Sequence, residues 1–180
     1  YTHLGGRTLT SQYVYDEVRP TCHPLGEDNK LIIAPGLLSG TVAPSSGRVS
    51  IGAKSPLTKG IKESNGGGIT GQKLGAMGIR AIMIEGLPKD DELQVLLVND
   101  EGAKLIAHPD LAGKGAYETT EILRGKYGKK AAVACIGPAG EMLMANAGIA
   151  NCDTEGNASR YCGRGGLGAV MGSKRLKAVV

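Results

Sequence analysis

Apolar residues in this chain fall in short blocks separated by polar, glycine-rich stretches. Gly6 to Tyr15 carries Leu9 and Tyr13 at helical spacing and predicts a first helix, ended by the turn Arg19-Pro-Thr-Cys-His-Pro24. Lys30 to Ala34, apolar after its first residue, predicts a short buried strand. Arg48 to Ala53 alternates and predicts a strand returning from the loop between them. A loop around Asn65 precedes a helical stretch at Gln72 to Met77, and Ala81 to Glu85 reads as a strand closed by Gly86 and Pro88. Glu92 to Val98 and Ala103 to Ala107 flank Asn99-Asp-Glu-Gly102, a hairpin signal. Tyr117 to Arg124 suits an amphipathic helix stopped by Gly125 or Gly128. Ala131 to Ile136 predicts another buried strand, running into Gly137-Pro-Ala-Gly140. Met142 to Ala150 fits strand or helix, because its small residues blur the period. A short helix at Gly165 to Met171 and a strand at Leu176 to Val180 close the chain. Hairpin strands mixed with a few short helices predict an α+β fold rather than a doubly wound sheet. A strand, a Gly-Pro or Pro-Gly turn and a Gly/Arg loop recur early and late, a faint internal echo.

Three polar loops stand out: Ser39 to Arg48, Glu63 to Gly71 and Ser159 to Gly172. Glycine lets backbone N–H groups approach a ligand closely, and arginine adds a planar fork of donors suited to oxyanions. The backbone amides opening the Gly165 helix, with Arg160 or Arg164, are candidates for holding a phosphate. Asn65 could present oxygens to a ligand or its counter-ion. For one such loop, tight turning is the simpler explanation; three together, each with Arg or Asn, favour binding. Gly163-x-Gly165-x-x-Gly168 matches the dinucleotide fingerprint only in form. No buried strand precedes it, and the chain ends before an acidic partner about twenty residues on could follow. Gly168 to Lys174 lacks the Gly-Lys-Ser/Thr order of a P-loop.

Composition narrows the classes further. The 180 residues favour one domain or two small lobes sharing a core, and with 29 Gly but no Phe or Trp that core must be aliphatic. A net charge of +4 without long Lys/Arg runs or interleaved aromatics argues against nucleic acid as a partner. No apolar run approaches a membrane span, and no signal peptide is visible. Cys22, Cys135, Cys152 and Cys162 lack metal-ligand spacing and read as reduced structural thiols of a cytoplasmic protein. His3, His23 and His108 are isolated, Asp90 to Glu92 form a charged turn, and nothing pairs Asp153 with Glu155 for acid/base work. No catalytic constellation is present. The chain opens on Tyr1 and stops on an apolar run, so it is expected to be a piece of something larger.

At its loops the sequence resembles the N-terminal domain of the tungsten-containing aldehyde:ferredoxin oxidoreductases. The matching stretches are Leu4-Gly-Gly-Arg7, Asn29 to Ile33, Gly40-Thr-Val-Ala-Pro44, Ser46-Gly-Arg48 and Lys54 to Thr58. They continue with Ser64-Asn-Gly-Gly-Gly68, Ile84-Glu-Gly86, Ile136 to Glu141 and Gly163 to Ala178, in the family's order. The resemblance implies one cofactor-binding domain over 1–180, built from two similar sheet-plus-helix lobes. It implies an enzyme oxidising aldehydes to carboxylic acids, with electrons passing through a [4Fe-4S] cluster to ferredoxin. Tungsten, or molybdenum, would be carried by a bis-molybdopterin cofactor and touched by no protein side chain. By position, Arg48 resembles the arginine between pterin and cluster. Asn65 and Tyr161 resemble the residues whose backbone carbonyls hold a magnesium bridging the pterin phosphates. Gly67 and Arg160 resemble further contacts, and Gly66, Gly163, Arg164 and Gly165 complete the candidate set. Gly66 stands where the family often has Ser. The family's opening strands are missing, as are the later domains that carry the cluster cysteines and the acid/base groups. The chain alone is therefore expected to lack aldehyde-oxidising activity. The alternative is a non-catalytic pterin-cofactor carrier or subunit acting with a separate partner chain.

Overall fold

The computed structural model describes residues 1–180. Helix α1 (Gly6–Glu17) lies on a four-stranded sheet of order β3-β2-β1-β4, built from β1 (Leu31–Pro35), β2 (Val49–Lys54), β3 (Ile61–Gly66) and β4 (Ile82–Ile84). Its pairings are all antiparallel. β1 is buried on both faces. Leu31 and Ile33 enter the main core, while Ile32 meets Val14, Val18 and Cys22 beneath α1. That double burial is why the segment reads as an unbroken apolar run. On β2 the apolar Val49, Ile51 and Ala53 face the core, and Ser50 and Gly52 point the other way.

Helix α2 (Thr70–Ala76) leads on toward the second sheet. This has six strands in the order β6-β5-β10-β7-β8-β9, from β5 (Gln94–Asn99), β6 (Gly102–Ala107), β7 (Ala134–Cys135), β8 (Ile149–Asn151), β9 (Arg160–Cys162) and β10 (Leu176–Val179). Only the β5–β10 pairing is parallel. Helix α3 (Ala116–Tyr127) covers a second core cluster with Leu111, Leu123 and Val133, and the short helix α4 is Pro138–Glu141. Helix α5 (Leu167–Ser173) puts Leu167, Val170 and Met171 into the main core, where residues of both sheets meet. The α+β class therefore holds, as two sheets with helices around a shared core.

Three local expectations need correcting. The segment before Asn65 is an edge strand, not a loop, paired with β2 at six positions from Lys54↔Ile61 to Val49↔Gly66. Its sequence, Ile-Lys-Glu-Ser-Asn-Gly, has no apolar alternation because both of its faces serve polar neighbours. Within Met142 to Ala150 only the end is regular, as β8. The third loop begins as β9, which pairs with β8. All four cysteines are free and buried. No helix is long and apolar enough to cross a membrane.

Candidate functional site

The edge strands β3 and β9 approach one another across the two sheets. Gly66 makes the approach possible, since a Cβ there would lie 2.8 Å from the Cys162 sulfur. Two further ties hold the join: the Arg164 N–H donates to Ser64 Oγ at 3.1 Å, and the Ile69 N–H donates to the Cys152 carbonyl at 2.9 Å. Alongside this seam opens a polar cleft of about 860 Å³, only 2 of whose 11 lining residues are hydrophobic.

The cleft gathers five of the nine candidates: Arg48, Asn65, Tyr161, Gly163 and Arg164. Arg48 is fixed from two directions. Its Nε donates to Asn65 Oδ1, and its Nη2 lies 3.4 Å from the Asn65 carbonyl oxygen. Asn65 is held in turn by donating Nδ2–H to Ser50 Oγ at 2.9 Å. A Cβ added at Gly67 would meet only Arg160 Cδ and Arg48 Nη1, both at 4.0 Å, so this glycine leaves space between the two arginines. Arg160 thus stands beside the site although it does not line the cleft. Tyr161 is 52% exposed, and burial together with nearby Tyr117 pushes its phenol pKa up, keeping the hydroxyl protonated.

Gly165 and the Gly165 helix are placed differently from expectation. Helix α5 starts at Leu167, and Leu167 to Gly172 are buried. The Gly168 amide donates to the Ala147 carbonyl and the Ala169 amide to Gly166. Gly165 accepts from Ser55 Oγ at 2.6 Å and packs beneath Lys62. These amides serve packing, and they do not open onto the cleft. Gly66 likewise serves the seam.

Residues not singled out as candidates also line the cleft: Arg7, Ser11, Lys62, Glu63 and Ser64. Alternation along β3 would have revealed Glu63 beside Asn65 had the segment been legible as a strand. Arg7 comes from α1, far away in sequence. Beneath the floor, burial pushes the Cys162 thiol up to about 12, opposed by a hydrogen bond from the Asn151 amide. Cys162 is therefore a neutral packing group rather than a nucleophile. No group of three or more His, Cys, Asp and Glu side chains comes together as a metal site. The arrangement is chemically an anion receiver: four cationic side chains around one carboxylate, with pre-oriented guanidinium donors.

The family model for the aldehyde ferredoxin oxidoreductase N-terminal domain matches residues 1–180. The tungsten-containing aldehyde ferredoxin oxidoreductase of Pyrococcus furiosus is 42% identical over 177 residues, covering 98% of this chain and 28% of that protein. The protein of the same description from Thermococcus kodakarensis is 40% identical with the same coverage. An aliphatic sulfonate oxidoreductase, WOR-like subunit, of Pyrococcus furiosus is 32% identical over 192 residues, covering 98% of this chain and 29% of that subunit. Among solved structures, the active site complex BamBC of benzoyl coenzyme A reductase, in complex with 1,5-dienoyl-CoA, superposes with a TM-score of 0.89 at 36% identity. The match covers 98% of this chain and 26% of that one. The chain thus spans little more than a quarter of the length of these relatives. With the whole of it matched by the family model and relatives above 40% identity end to end, the chain belongs to the aldehyde ferredoxin oxidoreductase N-terminal domain family.

Proposed function

We propose that residues 1–180 are the cofactor-binding domain of a longer, tungsten-pterin-dependent enzyme that oxidises aldehydes to carboxylic acids and passes electrons to ferredoxin. The observation that carries this reading is the convergence of Arg48, Asn65, Tyr161, Gly163 and Arg164 on one polar cleft. The tungsten named for the relatives supplies the metal, with molybdenum as the substitute the same pterin could carry. The donor set fits a phosphorylated ligand. Guanidinium forks suit phosphate oxygens, and Gly67 leaves room between Arg48 and Arg160.

In this reading Arg160 and Arg164 would hold the phosphates of the bis-molybdopterin, and Arg48 would lie between pterin and cluster. The Asn65 and Tyr161 carbonyls would hold a magnesium ion; the Asn65 carbonyl keeps capacity for it beside the long Arg48 contact. When bound, the tungsten-pterin group supplies the two-electron oxidation of the aldehyde. The [4Fe-4S] cluster and its cysteines belong to the remainder of the longer protein, as do the groups that meet substrate. The chain's own contribution is positioning. Asn65 locks the Arg48 guanidinium before any ligand arrives, so little conformational freedom remains to be lost on binding. Four free, buried cysteines suit a cytoplasmic setting.

The test uses the full-length enzyme. Arg48→Ala and Arg160→Ala should each lower cofactor retention about 10- to 100-fold, the range of a lost charge-assisted hydrogen bond. Metal analysis and pterin fluorescence read the result, and unchanged cofactor content in both variants would overturn the assignment. The isolated 180-residue chain should turn over no aldehyde with ferredoxin as acceptor. Turnover by it would remove the claim that the chemistry needs the other domains.

A further inference from the structure

Two arginines reach the cleft by the same device. Arg48 donates its Nε–H to the Asn65 side chain, and Arg7 places its Nε 3.5 Å from Glu63 Oε2. Glu63 and Asn65 are two residues apart on β3, hence on one face and about 7 Å apart along the strand. The local sequence explains how Arg7 gets there. Gly52 pairs with Glu63 across β2 and β3, and a Cβ at Gly52 would lie 2.6 Å from Thr10 Cβ. The missing side chain lets α1 rest on the sheet. The turn before Thr10 then carries Arg7 over Glu63, and Thr10 Oγ1 donates to the Arg7 carbonyl at 3.1 Å.

The two partners are unequally exposed: the Glu63 side chain is 12% exposed and that of Arg7 is 76%. Contact through Nε anchors the guanidinium and leaves its Nη1/Nη2 fork available, as an oxyanion-binding arginine requires. Glu63 is the sole acid lining the cleft, against Arg7, Arg48, Lys62 and Arg164, so a surplus of three positive charges remains. Its other oxygen, Oε1, is buried without a partner. A bare buried carboxylate oxygen is destabilising, and such local violations are expected where function demands them.

We infer that Arg7 is a second oxyanion-binding residue of the cleft and that Glu63 positions it. The Arg7 fork is available to a phosphate monoester of the bound cofactor, beside the Arg48 guanidinium. This rests on the cofactor reading above. Arg7 binds, and Glu63 acts through it.

The experiment measures pterin per polypeptide, and its dissociation rate into phosphate buffer, on full-length enzyme purified with its cofactor. Arg7→Ala should speed pterin loss about 10- to 100-fold, and Arg7→Lys should restore part of the retention by keeping charge without the fork. Glu63→Leu should speed loss about 10-fold, and Glu63→Gln should recover most of it, because the amide oxygen still accepts from Nε. On an Arg7→Ala background, Glu63→Leu should add nothing. Pterin kept by Arg7→Ala but lost by Arg48→Ala would overturn this inference alone. A full additional effect of Glu63→Leu on that background would overturn the positioning role. Wild-type enzyme purified without pterin would overturn the cofactor reading and this inference with it. Because Arg7 is largely exposed, its variants keep the test decisive even where Glu63→Leu fails to fold.

Discussion

In Leu167–Gly172 each glycine marks the place where a neighbouring backbone passes, whereas Gly67 marks the place where two arginines leave a gap. A methyl at Gly168 would overlap the Gly148 carbonyl oxygen, and one at Gly172 would overlap that of Gly140. There the absent side chains let α5 sink into the core between both sheets. At Gly67 the nearest atoms are 4.0 Å away and belong to flexible cationic side chains. Gly68, next along, combines a left-handed φ of 104° with a clash against the Cys152 carbonyl, and Gly66 packs on the Cys162 sulfur, so the triple-glycine segment is fastened at both ends and open in its middle. Glycine content alone does not separate a ligand cradle from a close-packed seam. What lies opposite the missing Cβ does.

The sharpest way to break that contrast is to fill the packed side. Gly172→Ala and Gly68→Ala should each destabilise the chain by about 3 kcal/mol or more, from overpacking against backbone that cannot yield. Strain at the left-handed position adds to the second change. Thermal unfolding followed by circular dichroism should fall by roughly 10 °C at this chain length. Losses under about 1 kcal/mol would mean that the seam is soft and the distinction false.

Cations divide in the same way, into open and enclosed. Arg7 and Arg48 face the cleft, but Lys174 is 7% exposed, and its ammonium donates to the carbonyls of Asn29 at 2.6 Å, Gly86 at 2.7 Å and Gly26 at 3.2 Å. Burial nevertheless wins over its neighbours and brings the Lys174 pKa down to about 8 from 10.5. Between those two values the unfolded chain binds more protons than the folded one, so this group makes stability rise with pH. Between pH 7.5 and 9.5 this group alone contributes on the order of 1–2 kcal/mol in favour of the higher pH, read by urea unfolding as the part of the pH slope that Lys174→Met removes. Other groups pull the opposite way over this window: burial raises the Cys135 thiol to about 11 and the Cys162 thiol to about 12, so their contribution falls as pH climbs past the ordinary thiol range. The comparison with Lys174→Met isolates the enclosed lysine. If the variant keeps the wild-type pH slope, the three carbonyls, and not desolvation, govern that ammonium.

What could be read without coordinates follows from where apolar residues carry the signal. Lys30 to Ala34, Ala81 to Glu85 and the first arm of the hairpin are legible because their side chains enter or pack against a core, while the exposed second arm is legible from the Asn99-Asp-Glu-Gly102 turn. β3 is not, since an edge strand with polar neighbours on both faces has no hydrophobic period to detect. Asn65 therefore reads as a loop residue, and Glu63 passes unnoticed. Asn65 and Arg164 are legible from the polar loops themselves, the roles of Arg48 and Tyr161 only through family resemblance, and the fold brings these four with Gly163 to one cleft. The Gly165 helix misleads in the other direction. Its composition suggests an anion-binding N-terminus, but Ser55, Ala145 and Ala147 close over it. Arg7 belongs to a motif with no evident role until Gly52 lets α1 settle over β3.

The smallest expected effect on stability is the most informative about the open side. Gly67 has no left-handed φ, and an added methyl would meet its neighbours only at ordinary van der Waals distance. Gly67→Ala should therefore change unfolding free energy by less than about 0.5 kcal/mol, with reduced freedom of the unfolded chain offsetting any crowding. In the full-length enzyme the same methyl would stand between Arg48 and Arg160, where the cofactor is proposed to bind, and pterin retention should drop by several-fold. A stable Gly67→Ala variant with impaired retention ties the gap to ligand access. A variant as unstable as Gly68→Ala would instead make Gly67 one more packing glycine, and the cleft would lose its claim to a backbone cradle.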